Sequence, residues 1–71
     1  METQNVNVVK DIYDQLERDP RTKKCVIEVG FNRGVVTLLG HVKDMKMIAA
    51  AEEIARSHPG VISVVNELKV G

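Results

Sequence analysis

The chain has 71 residues, with ten acidic against ten basic side chains and a formal net charge of zero. Its only aromatics are Tyr13 and Phe31, so it lacks the basic excess and the stacking platforms of a general nucleic-acid binder, and that class is set aside. An apolar content of 44% supports one compact aliphatic core, which excludes a disordered chain and bounds the molecule at a single domain over residues 1–71.

Cys25 is the single cysteine, so neither an internal disulfide nor a cysteine-based zinc site can form. With His41 and His58 as the only histidines, no metal and no cofactor is expected. The opening METQNVNVVK lacks a charged segment followed by an apolar run, so it does not read as a signal peptide. No stretch approaches the length of a membrane span. The chain as written is therefore expected in the cytoplasm, and in the periplasm or envelope if it is excised from a longer exported protein.

A first helix is expected over 6–18, with Asn5 as N-cap and Val8, Val9, Ile12, Tyr13 and Leu16 on one face. Asp19-Pro20 ends it, because the residue before a proline avoids the helical region. A first strand over 25–31 places Cys25, Ile27, Val29 and Phe31 on one side. The NRG that follows reads as a tight hairpin connection with Gly34 at positive φ. A second strand over 35–42 alternates Val36, Leu38, Gly40 and Val42 against Val35, Thr37, Leu39 and His41. Gly40 interrupts a run of strand formers, and it reads as room for a close helix, a bend, or a local bulge.

A second helix over 44–57 opens at Asp44 and carries the stripe Met47, Ala51, Ile54 and Ala55, backed by Ile48. It stops at HPG, where Gly60 permits the turn. His58 reads as a helix-end residue favoured by the dipole. A third strand over 61–70 completes the order αββαβ. A right-handed crossover makes strands two and three parallel, while strands one and two form an antiparallel hairpin. The fold class is thus an α+β two-layer sandwich, with a three-stranded mixed sheet and both helices on one face.

The spaced set of Asp19-Pro20, Gly34-Val35-Val36-Thr37-Leu38, Gly40, Val42, Ala51, Ile54-Ala55, Gly60-Val61, Val64, Asn66, Leu68 and Val70 resembles the BON domain. That family is named for bacterial osmotically inducible and nodulation proteins. The chain departs from its pattern at Asn5, Thr22, Leu39 and His58. The resemblance implies a non-catalytic αββαβ module, found with secretion pores, osmotic-stress proteins, mechanosensitive channels, and CBS or LysM domains. It implies phospholipid binding as the commonly proposed activity, with potassium sensing in one cytoplasmic relative. Gly34, Gly40, Gly60 and Asn66 are taken as structural.

No nucleophile elbow, phosphate loop or ligand pair is present, and Glu52 and Glu53 do not converge, so no catalytic residue is assigned. Two surfaces remain. The loop after the first helix and the junction before the second fall at one end of the sheet. That gathers Arg21, Lys23, Lys24, Lys43 and Lys46 beside Met45 and Met47, a combination suited to an anionic phospholipid surface. The bland alternative is a solvated end with Met47 in the core. The open sheet face would collect Val26, Val35, Leu39 and Val65 as a contiguous patch for a neighbouring protein domain or for homo-oligomerisation. Its alternative is strand propensity alone. A potassium site would need carbonyl oxygens from loops such as NRG or HPG, and rests on the resemblance only.

Overall fold

The computed structural model describes the backbone of residues 3–23 and 25–71 and the side chains of residues 8–23 and 25–71. Five elements follow in order: α1 (Thr3–Arg18), β1 (Val26–Asn32), β2 (Val35–Val42), α2 (Met45–Arg56) and β3 (Ser63–Val70). The sheet order is β1-β2-β3, with β1 antiparallel and β3 parallel to the central strand. The αββαβ mixed-sheet sandwich is therefore the observed fold.

One parity of each strand faces the helices. Ile27, Val36, Leu38, Val42 and Leu68 form a single core with Val8, Ile12 and Leu16 of α1 and Ala51, Ile54 and Ala55 of α2. The core stripe of α1 is the i, i+4 series Val8, Ile12 and Leu16; Val9 is half-buried and Tyr13, expected in the stripe, is exposed at its flank. There the Glu17 carboxylate one turn on raises the pKa of the Tyr13 phenol. Ala50 joins the buried face of α2, while Met47 and Ile48 are half-buried at its margin.

The element ends differ from the expectation for physical reasons. No glycine or proline precedes Asn5, and α1 begins at Thr3, so Asn5 lies inside the helix rather than capping it. Asp44 does cap α2, its carboxylate accepting the backbone N–H groups of Lys46 and Met47 at 2.9 and 3.2 Å. Val61 and Ile62 stay outside β3. The Val61 N–H closes a turn onto the His58 carbonyl, and the Ile62 N–H donates to Gly34 in the hairpin at 2.7 Å.

The end of α1 shows a local repair. The Leu16 carbonyl would ordinarily accept from the backbone N–H four residues on, but that residue is Pro20, which has none. The Thr22 hydroxyl supplies the missing donor at 2.7 Å. Thr22 is only 1% exposed, so a polar residue at this position is buried and satisfied.

Two glycines are dictated by backbone. Arg33 and Gly34 have φ of 53° and 85°, the pair of positive values that a two-residue hairpin turn of type I′ requires. Gly40 has φ of 142°, and a Cβ there would run into the backbone carbonyl oxygen of Val26. The β1–β2 register is unbroken from Val26↔His41 to Asn32↔Val35, so there is no bulge. Gly40 thus makes room for the neighbouring strand, not for a helix.

Candidate functional site

In an antiparallel hairpin the start of β1 lies beside the end of β2, and parallel pairing brings the end of β3 to the same place. Val26 pairs with His41, and Val42 with Val70. This pole therefore collects the loop after α1, the β2–α2 junction and the last residues of β3. A cleft of about 450 Å³ opens here, lined by Cys25, Val26, Gly40, His41, Val42, Lys43, Met47 and Gly71. At its edge the Cys25 thiol donates to the Met47 thioether at 3.4 Å; both residues are half-buried.

The charged residues at this pole divide into committed and uncommitted groups. The Arg21 guanidinium donates to both oxygens of Asp19, at 3.0 and 2.9 Å, and to Glu53 of α2 at 3.2 Å. The Asp19 contact, with the Arg21 backbone N–H added, holds the Asp19 carboxyl well below its usual range, at about 2. The same bonds raise the pKa of Arg21, Asp19 contributing more than Glu53. Arg21 is thereby turned toward α2, with its charge compensated. Lys24 lies outside the described residues. Lys23, Lys43 and Lys46 are exposed, and Lys69 stands beside His41 in the β2–β3 register. Among the described residues, none of these four lysines is within ion-pair distance of a carboxylate.

Apolar side chains are exposed among them. Val26 is 85%, Met45 75% and Val70 48% exposed. The sequence reading places Val26 on the open face and leaves Lys69 and Val70 out of this pole. The signal was available in the parallel pairing, which brings the C-terminal ends of β2 and β3 together.

On the open side of the sheet, register decides what touches what. Successive rows across the three strands read Val26, His41, Lys69; then Glu28, Leu39, Glu67; then Gly30, Thr37, Val65; then Asn32, Val35, Ser63. Val26, Leu39 and Val65 therefore lie on one diagonal, with Val35 half-buried beyond. The register sets a carboxylate on each side of Leu39.

The remaining polar contacts are structural. Asn66 Nδ2 donates to the Ile48 carbonyl of α2 and to Glu52, at 3.2 and 3.3 Å. Its Oδ1 accepts the Leu68 backbone N–H at 3.1 Å. His58 lies past the C-cap Ser57 rather than in the last helical turn. Its Nδ1 accepts the Gly60 N–H at 3.0 Å, which leaves Nε2 to donate to Asp11 Oδ2 at 3.1 Å. That ring ties α1 to the turn before β3, close to where Gly60 lies against Val8. Glu52 pairs with Arg56 at 2.9 Å and Glu53 with Arg21, so these two carboxylates serve separate partners.

Among the described residues no group of three or more His, Cys, Asp or Glu side chains is placed to hold a metal ion. No helix among them is long and apolar enough to cross a membrane. No curated protein matches the chain. A model of the BON domain matches residues 4–71, nearly its full length, and the chain belongs to the BON domain family, a family of binding modules.

Proposed function

We propose that the domain binds anionic phospholipid peripherally, through the pole where β1 begins and β2 and β3 end, within an envelope or osmotic-stress-related protein. The observation that carries this reading is the grouping of Lys23, Lys43, Lys46 and Lys69, without carboxylate partners among the described residues, around exposed Met45, Val26 and Val70. Each basic residue near an anionic surface contributes about 1 kcal/mol. Four lysines, less the exposed Asp44 carboxylate at the same pole, contribute a net of about 3 kcal/mol, which corresponds to a dissociation constant on the order of 10 mM before any apolar insertion. Met45 adds to this by placing an unbranched apolar side chain among the lipid headgroups. A chain with no net charge can bind in this way because these four lysines lie at one end of the sheet.

Cosedimentation with phosphatidylglycerol vesicles tests the proposal. Binding is expected at low salt, is lost as salt rises and the screening length shortens to about 8 Å at 0.15 M, and is abolished by K23E/K43E/K46E. Binding that ignores that charge reversal, or no binding at low salt, overturns it. Phosphatidylcholine vesicles serve as the neutral control.

A further inference from the structure

The uncovered side of the sheet carries a charge pattern that the lipid reading does not use. Glu28, Leu39 and Glu67 form one row across β1, β2 and β3. Leu39 is exposed to 41%, as is Val65 one row on and one strand over. Glu28 and Glu67 are both exposed, and neither is in an ion pair with a described residue. We propose that this face receives a cationic amphipathic helix of a partner protein, its apolar seam seated on Leu39 and Val65 and its flanking Lys or Arg side chains held by Glu28 and Glu67.

The dimensions suit that occupant. Neighbouring strands are about 4.8 Å apart, so the backbone positions of Glu28 and Glu67 stand about 10 Å apart across the sheet, close to the width of one helix with its side chains. A helix between them covers Leu39 and Val65 and sets basic residues of both flanks against an acid, provided its end stops short of the neighbouring row of Val26, His41 and Lys69. Gly30, in the same row as Val65, leaves the β1 side of that row low, because it has no side chain. Next to Leu39 on the other side, a depression of about 530 Å³ opens, lined also by Asn66, Glu67, Leu68 and Lys69. A helix surface is ridged, and these hollows on both sides of a central leucine accept its ridges.

The charges disfavour a second copy of this chain. Laid face to face with a two-fold axis through the Leu39 row, two sheets set carboxylate against carboxylate. Its own helices do not fit either. The outer surface of α1 mixes Lys10 with Asp11, Asp14 and Glu17, and that of α2 mixes Lys46 and Arg56 with Glu52 and Glu53. Neither offers cations along both flanks of a free apolar seam.

Two synthetic helices of about five turns test this, each with the same leucine seam, one flanked by lysines and one by glutamates, titrated into the isotope-labelled domain. The lysine-flanked helix is expected to move the amide signals of Glu28, Leu39, Val65 and Glu67. The double variant E28K/E67K is expected to weaken that helix about tenfold or more and to gain the glutamate-flanked one, as reversed complementarity requires. The amide spectrum of the variant also shows whether it remains folded. Should folding fail, E28Q/E67Q replaces it, with the loss of lysine-helix binding as its readout. The proposal is overturned if neither helix binds, if both bind equally, or if the shifts centre on Lys43 and Met45. A dimer in sedimentation that is lost in Leu39→Glu overturns it in favour of a second copy.

Discussion

Two glycines of the sheet accept the same added methyl in opposite ways, and their contrast tests the account of Gly40. At Gly40 an alanine must adopt a φ of 142°, a region that costs a side-chain-bearing residue about 1–3 kcal/mol. Its Cβ also meets the carbonyl oxygen of Val26, which is backbone and cannot rotate away. Relief requires β1 and β2 to separate near the Ile27↔Gly40 pair, at about 1 kcal/mol for each ladder hydrogen bond lost. Gly40→Ala is therefore expected to cost about 3 kcal/mol. Domains of this size have a total stability of roughly 4–10 kcal/mol, so the loss is large. At Gly30 a Cβ would lie 4.0 Å from its nearest neighbour, the Thr37 Cβ, and φ is not positive. Gly30→Ala is expected to be neutral or to stabilise by about 0.5 kcal/mol, because it restricts the unfolded chain. Urea unfolding of both variants and the parent, with equal denaturant slopes, measures the difference directly. Equal stabilities for the two alanine variants would refute the reasoning, whatever their absolute values.

Arg33→Asn is expected to stabilise the domain by about 0.5–1 kcal/mol, since asparagine tolerates the positive φ that the hairpin imposes on Arg33; thermal unfolding reads this as a rise in midpoint. Thr22→Ala removes the donor to the Leu16 carbonyl and is expected to cost about 1–3 kcal/mol, whereas Thr22→Ser, which keeps the hydroxyl, should lose about 1 kcal/mol with its methyl; chemical denaturation compares them. The Asp19 carboxyl, at about 2 in the folded chain, lies below its ordinary value near 3.8, so its contribution is complete above pH 4 and disappears as pH falls through 2. Parent and Asp19→Asn stabilities should thus differ at neutral pH and converge over that acid window, which urea titrations at stepped pH would reveal.

Local pattern was enough to define most of the scaffold. The alternation of Val36, Leu38 and Val42 against Thr37, Leu39 and His41 assigned the two faces of β2, and Asp44 marked the start of α2 by the chemistry of its cap. The reason for Gly40 was not legible in this way, because the atom that excludes a side chain belongs to Val26 on another strand. Arg21 looked like one more cation of the pole; its second acid, Glu53, is 32 residues away in sequence, and only packing brings them together. Thr22 was visible only as a departure from the family pattern; its partner, the Leu16 carbonyl left without a donor by Pro20, appears in the fold alone. The open face was legible as a set of residues but not as a pattern. Alternation names the residues that point outward, whereas the lateral order Glu28, Leu39, Glu67 depends on strand register.

The side chain of Asn66 has a consequence for life at high concentration. An outer ribbon with spare donors is where separate molecules ordinarily fuse into longer sheets. By folding its amide back onto Leu68 and anchoring the other end to α2, Asn66 occupies a donor that a stranger's backbone would otherwise capture. That border therefore offers one donor fewer to the backbone of another molecule.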